Sequence, residues 1–308
     1  MRNVFVLGSI NMDYSIHCNR LPKKGETLLG SNFSSSQGGK GANQAIASKK
    51  LGCDNVYMIA SIGNDTIGSE LKAELIEAGI DINGLQVKNN SSGSCIIIFN
   101  DQEKDNYIIL NEGANKDLDI EEAKKFLLNN VNPGDIFVTQ LENDLDTIYE
   151  GLKFSKELGM VTIFNPAPFK KLDNKYLKYV DIIILNEIEC LQMTGLDILD
   201  NNNYDSIIEF FNNTGIKNVI VTLGDKGSIY FSNEGVKTFG VTKVDVVDTT
   251  SAGDTFIGSI VSMLANGKSI IEGIEFGKVA SAITVSRAGS GNSIPTKQEV
   301  TNFIKKIV

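Results

Sequence analysis

The chain has a single histidine, His17, which excludes a metal centre built on several imidazoles. His17 lies in an alternating, strand-like stretch, so a structural role is expected of it. The four cysteines, Cys18, Cys53, Cys95 and Cys190, are widely spaced and form no Cys-x-x-Cys pair; buried free thiols are the expectation. No run without charge approaches the roughly 20 residues of a membrane helix. Positive charge is also in deficit: 29 Lys and Arg against 38 Asp and Glu leave a net charge of −9. Such a chain is poorly suited to wrapping nucleic acid. Two phosphate-binding signatures are missing, GxxxxGK[ST] and a GxGxxG after the first strand. Residues 1–7 read as a strand and not as a secretion signal, so a cytoplasmic location is expected.

What is present is a soluble-type composition over 308 residues, 42% hydrophobic and 22% charged, enough for a large core and a second small unit. From residue 118 onward helical patterns alternate with short apolar runs at 135–141, 160–164, 180–185 and 218–223. That rhythm predicts a central, mostly parallel sheet covered by helices on both faces. Segments near 12–33 and 93–111 break the alternation. The second reads as a hairpin of 94–99 with 106–110. Both are expected to form a small β-sheet lid. The expected division is 1–10, 34–91 and 113–308 for the large α/β unit, with 11–33 and 92–112 for the lid.

The strongest signal is Asp248-Thr249-Thr250-Ser251-Ala252-Gly253-Asp254-Thr255-Phe256. Valines at 241, 244, 246 and 247 suggest a strand leading into it, and a helix is expected over 254–266. A helix start with small residues collects an anion on its free N–H groups. An acid there repels an anion unless it has a task, and Asp254 suits a base that takes a proton from a hydroxyl receiving a phosphoryl group. An ordinary capped helix start is the plain alternative. Gly38-Gly39-Lys40-Gly41-Ala42-Asn43-Gln44 joins bare backbone, a cation and amides in what reads as a turn, with a helix over 42–51. That chemistry suits the hydroxyls of a polyol; a simple tight turn is the alternative. Asn11 and Asp13 share a face of an extended chain and suit a vicinal diol. Glu142, at a strand end, could accept from another hydroxyl. Asn186 and Glu189 follow a strand and could organise hydrated magnesium and phosphate, or simply cap a helix. Thr222-Leu223-Gly224-Asp225-Lys226-Gly227 could take a nucleotide, or turn a hairpin into 228–232.

These stretches together resemble the ribokinase branch of the PfkB carbohydrate kinase family. Gly8-Ser9-Ile10-Asn11-Met12-Asp13, 38–45, Asn165-Pro166-Ala167-Pro168, Asn186-Glu187, Val221 to Gly224 and 248–256 carry the resemblance, which covers essentially the whole chain. The resemblance implies a three-layer, Rossmann-like α/β fold with a β lid that often clasps a second copy into a homodimer. It implies an ATP-dependent kinase that phosphorylates ribose at its 5-hydroxyl. Asn11, Asp13, Gly39, Lys40, Asn43 and Glu142 match ribose-binding positions. Asp254 matches the base, and Ser251, Ala252 and Gly253 match the anion hole. Thr222 and Gly224 match nucleotide contacts, with Gly227 of the same turn a further candidate for the nucleotide, and Asn186 and Glu189 match the phosphate and Mg²⁺ region. Asp248, Thr250, Val285, Ala288, Gly289 and Ser293 match a K⁺ site, although 287–291 could be only a helix exit loop. Three departures stand out. Ser251 replaces alanine or glycine. Met12, bulkier than the usual alanine, could crowd the sugar 2-position and leave 2-deoxyribose as an alternative. Lys278 falls where relatives place an asparagine beside adenine, so the base pocket is placed only near 277–282. Another sugar or nucleoside kinase, and a non-enzymatic sugar sensor, are the competing readings.

Overall fold

The computed structural model describes residues 1–103 and 105–307. Its strands are β1 (Val4–Leu7), β2 (Asn11–Cys18), β3 (Ser31–Gly38), β4 (Val56–Gly63), β5 (Asp81–Lys88), β6 (Gly93–Asn100), β7 (Asp105–Asn111), β8 (Ile136–Thr139), β9 (Val161–Phe164), β10 (Ile182–Asn186), β11 (Asn218–Thr222), β12 (Ser228–Ser232) and β13 (Gly235–Phe239). Its α-helices are α1 (Lys40–Lys50), α2 (Thr66–Glu77), α3 (Ile120–Asn130), α4 (Leu145–Glu157), α5 (Glu187–Thr194), α6 (Tyr204–Thr214), α7 (Ala252–Ala265), α8 (Ile270–Val285) and α9 (Lys297–Ile307).

Nine strands form one sheet in the order β13-β12-β11-β10-β9-β8-β1-β4-β5. Every pair from β11 to β5 is parallel; β12 and β13 add antiparallel at one edge. Strand β1 shows why the sheet needs two covers. Its four residues are fully buried, Val4 and Val6 in one apolar cluster and Phe5 and Leu7 in another. Successive side chains of a strand point to opposite faces, so a VFVL strand buries both. The first cluster takes side chains from α1, α2, α7, α8 and α9, the second from α3, α4, α5 and α6. The fold is therefore the three-layer α/β arrangement expected from the sequence. Among the described residues no helix is long and apolar enough to cross a membrane, and all four cysteines are free.

Four strands form a separate sheet, β3-β2-β6-β7. The hairpin read at 94–99 and 106–110 is present as antiparallel β6 and β7. His17 lies in β2, stacked on Phe99 at 4.6 Å and hydrogen-bonded through Nδ1 to Asp101 at 2.9 Å, which is the structural role expected of it.

Several elements differ from the sequence reading. The valine run before residue 248 is not a strand, and Val241, Val246 and Val247 are exposed. β-branched residues favour strands only where a neighbouring strand offers hydrogen bonds, and none pairs with this run. Strands β3, β5 and β13 were not anticipated. Ser-Asn-Phe-Ser-Ser-Ser-Gln-Gly has no apolar alternation, yet it pairs antiparallel with β2 from Ser31 to Gly38. It also runs five residues beyond the expected lid boundary at residue 33. The glycine-rich stretch is not a free turn: α1 begins at Lys40, so Lys40, Asn43 and Gln44 lie in its first turns.

Candidate active site

The site is assembled where α1 and α7 meet the carboxyl ends of the parallel strands, the place where open α/β sheets gather ligands. Ser251, the residue before helix α7, holds φ 59° and ψ 9°. This left-handed conformation costs a non-glycine residue about 1 kcal/mol, and no side-chain cap offsets it. The turn is anchored instead by backbone: Thr255 N–H donates to Ser251 O at 2.8 Å. The first N–H groups of such a helix have no intrahelical acceptor, and Ala252 and Gly253 line the cleft. The Ser251 hydroxyl is buried without a hydrogen-bond partner. An anion seated here would meet that hydroxyl as well as the peptide donors.

Asp254 is the third residue of α7 and only 8% exposed. Its Oδ1 accepts from Gln44 Nε2 at 2.9 Å and its Oδ2 from Asn43 Nδ2 at 3.3 Å. Close helix packing makes these contacts. A Cβ on Gly258 would sit 2.4 Å from Ala47 Cβ and 2.8 Å from Ser48 N. Only a residue with no side chain lets α7 lie this close to α1.

The other wall comes from β2 and the loops after β1 and β8. Asn11 is held by Asn115, whose Nδ2 donates to Asn11 Oδ1 at 2.7 Å. Asn115 also pairs with Ile10 N and O at 2.9 and 3.1 Å. With its oxygen engaged, the Asn11 amide presents its N–H donors. Asp13 fits because Gly38, the partner of Asn11 on β3, is bare: a Cβ on Gly38 would lie 1.9 Å from Asp13 Oδ2. Burial, and then the nearby Glu142 carboxylate, push the Asp13 carboxyl up to about 7. Glu142 accepts from Ser9 Oγ and from Lys40 N at 2.9 Å, so it closes the start of α1, where a carboxylate is favoured. Burial opposes the charge on Lys40, but Asp254, Glu142 and Glu189 outweigh it and raise the ammonium above its ordinary value. Lys40 is thus a cation surrounded by three carboxylates.

A cleft of about 340 Å³ runs from Lys40 and Asp254 past the 251–253 turn to Asn186, Glu189, Thr222 and Gly224. Asn186 and Glu189 form a complete capping box: Glu189 N–H donates to Asn186 Oδ1 at 2.7 Å, and Asn186 N–H donates to Glu189 Oε2 at 2.9 Å. They cap α5 and line the cleft as well. Burial raises the Glu189 carboxyl, against the Asn186 N–H and Lys40, which lower it. Gly227 is not part of the cleft lining. Its N–H and carbonyl close the turn into β12, and a Cβ there would lie 1.9 Å from Phe239 O. Lys278 is ion-paired with Glu275 one turn away on α8.

The residues matched to a cation site come together in part. Asp248 Oδ1 accepts from Thr250 N at 2.9 Å and Oδ2 from Gly289 N at 3.0 Å. Burial opposes the Asp248 charge, but these two N–H groups hold the carboxyl below its ordinary range. Val285 O accepts from Val247 N at 2.8 Å and Asp248 N at 3.2 Å. Ser293 Oγ donates to Ser290 O at 2.7 Å, inside the loop that follows α8. Asp248 therefore ties the turn before α7 to the exit of α8. Among the described residues there is no cluster of three or more His, Cys, Asp or Glu side chains suited to a metal.

Sequence reasoning missed several contributors. Gln44 bonds the Asp254 carboxylate and is itself held by Gln140 and Asn165, Asn115 orients Asn11, and Ser9 holds Glu142. Gln44 and Asn165 stood inside quoted motifs, but their contacts span 210 and 121 residues of chain. Met12 was expected to crowd the sugar. It is 3% exposed and belongs to the main apolar cluster, on the face of β2 opposite Asn11 and Asp13 as strand alternation requires.

The family model described as pfkB family carbohydrate kinase matches residues 1–297. The chain belongs to that family. It is 36% identical to the ribokinase of Haemophilus influenzae, over 99% of each chain. It is 29% identical to a deoxyribokinase of Salmonella typhi, over 98% of each. The solved structure of Arabidopsis thaliana ribokinase complexed with ribose and ATP superposes with a TM-score of 0.87 at 29% identity, covering 99% of each chain. The chain is thus a ribokinase-type kinase, a phosphotransferase with an alcohol acceptor, and the sensor alternative falls.

Proposed function

We propose that this kinase transfers the γ-phosphoryl group of ATP to the 5-hydroxyl of D-ribose. The observation that carries the reading is the buried Asp254 carboxylate, clasped by Asn43 and Gln44 beside the open start of α7. The sugar lies between Asn11, Asp13, Gly39, Lys40, Asn43 and Glu142. Asn11 donates to a hydroxyl, while Asp13 and Glu142 accept from others. Asp254 takes the proton of the attacking hydroxyl. The N–H groups of 251–254 receive the charge that spreads over the transferring phosphoryl oxygens. The nucleotide lies over Thr222 and Gly224, at and just beyond the end of β11. The base sits near 277–282.

Glu189 and Asn186 would hold a hydrated Mg²⁺ through its waters; one or two carboxylates plus phosphate oxygens are the donors that ion favours, and it would neutralise phosphate charge. Asp248, Thr250 and the carbonyls of Val285, Ala288 and Gly289, with Ser293, offer only oxygen donors, which fits K⁺; such an ion would stiffen the turn that Asp248 already ties down. The small sheet acts as the lid over the sugar. Strand β7 is exposed throughout, with Ile108 and Ile109 each 60% exposed, and a second copy of this sheet is the partner that reading supplies.

The favoured acceptor is ribose over 2-deoxyribose because Met12 points away from the site and Asn11 keeps its donors free. A coupled ATP-consumption assay over ribose, 2-deoxyribose, fructose and adenosine, with and without K⁺, tests this. Ribose is expected to give the highest kcat/KM; a clear preference for another acceptor defeats the assignment.

Asp13 makes sugar binding pH-dependent. Hydroxyls donate to the ionised carboxylate, so binding favours loss of the proton. With the free carboxyl near 7, affinity should rise with pH through neutrality and fall by up to about tenfold per unit below it. Calorimetric titration with ribose from pH 5.5 to 8.5 measures this slope. Asp13→Asn should bind weakly and without it.

A further inference from the structure

Three buried amides from elements far apart in the chain are linked to one another, and one of them, Gln44, bonds the base. Gln44 is fully buried on α1. Its Nε2 donates to Asp254 Oδ1 at 2.9 Å and lies 3.2 Å from Asn165 Oδ1. Its Oε1 accepts from Gln140 Nε2 at 2.7 Å. Gln140 is 1% exposed, just beyond β8. Asn165 lies just beyond β9, and its Nδ2 donates to Ile184 O on β10 at 2.9 Å. Asn165, itself tied to β10, and Gln140 thus set the orientation of Gln44, while Gln140 Oε1 is buried without a partner. A flipped Gln44 would set its oxygen against Asp254 Oδ1 and Asn165 Oδ1, and its N–H groups against those of Gln140. All three clashes fall among buried side chains, where unpaired polar groups are costly.

We propose that Gln44 is a positioning residue for phosphoryl transfer. Rotation about the last torsion of an aspartate is soft. Of the two hydrogen bonds that restrain it in Asp254, the one from Gln44 is shorter by 0.4 Å, 2.9 against 3.3 Å. Asn43, the longer partner, is also assigned to the sugar, so Gln44 is the restraint with no other task. By holding Oδ1, Gln44 leaves Oδ2 turned toward the acceptor hydroxyl. Gln140, outside the cleft lining, acts through Gln44, while Asn165 braces Gln44 from the cleft wall. The proposal rests on Asp254 being the base.

Gln44→Met keeps the shape and removes all three side-chain hydrogen bonds. Misplacement of a reacting group by about an ångström costs up to about 10²-fold, so kcat is expected to fall roughly 10- to 10²-fold. KM for sugar and for ATP should stay within about threefold, because ground-state binding is untouched. Gln140→Met should give a smaller loss in kcat alone, since Gln44 keeps its bond to Asp254 but not its lock. Melting temperatures and calorimetric sugar binding of the same samples separate this from loss of fold, which would lower the active fraction and leave bound sugar substoichiometric. Gln44→Met with kcat within about twofold of the parent, or with kcat and KM worsening together, overturns the proposal. If Gln44→Met does not fold, Gln140→Met is decided by the same split. Asp254→Asn in the same panel keeps the two ideas apart: an active Asp254→Asn removes the base itself, whereas an inactive one beside an unaffected Gln44→Met removes only the positioning role.

Discussion

Asp254→Asn is expected to lower kcat by about 10² to 10⁴, the usual worth of a positioned base, while sugar still binds. The asparagine is nearly isosteric, so the close approach of α7 to α1 survives. Its amide, however, can no longer accept the proton of the attacking hydroxyl. One hydrogen bond from Gln44 or Asn43 is retained at the oxygen, and the other meets an N–H₂ group and is lost. Sugar contacts with Asn11, Asp13 and Glu142 are untouched, so calorimetric affinity for ribose should change little. Steady-state kinetics and calorimetry on the same preparation check both halves. Full turnover in this variant would remove the base assignment, and with it the reading of the whole cleft.

Gly258→Val should damage stability and catalysis together. The first carbon of the new side chain would occupy space 2.4 Å from Ala47 Cβ and 2.8 Å from backbone of α1, so no rotamer relieves the overlap. The helices must separate. Overpacking of this kind costs about 1–3 kcal/mol, visible as an earlier denaturant midpoint with little change in slope. Separation also draws Asn43 and Gln44 away from Asp254, because these residues and Ala47 share one face of α1. A fall in kcat of up to about 10² is expected even in the fraction that remains folded. A variant that is destabilised but fully active per folded molecule would show that the α1–α7 spacing does not govern the carboxylate. Gly38 works in a similar way on the sugar side, where the bare position leaves room for Asp13.

The two sides of the site were not equally legible. Asp254 and the 251–253 turn could be read because anion-binding helix starts carry a local signature: small residues, an acid and an apolar run to follow. Asn11 and Asp13 could be read because strand alternation places residues two apart on one face. That same rule, applied to Met12, assigns it to the core, but only once β2 is known to begin at Asn11. Strand β3 was invisible because its serines and glycine carry no hydrophobic pattern; it exists through hydrogen bonds to β2, a partner 27 residues earlier at Asn11–Gly38 and 14 residues earlier at His17–Ser31. The valines before Asp248 misled for the converse reason, since propensity without a neighbouring strand does not make a strand.

From its order of residues alone this protein was committed to a parallel sheet between helix layers and to polar groups placed at strand ends and helix starts. Periodicity, glycine and acidic helix starts act within a few residues, so they can be read along the chain. Only the folded molecule decided which of those groups meet. Gln44 reaches Asp254 across 210 residues and Gln140 across 96. Asn115 turns Asn11 from a distance of 104 residues, and Gly258 sets the spacing between two helices that are remote in sequence. Those contacts arise from packing of separate elements, and packing leaves no local trace.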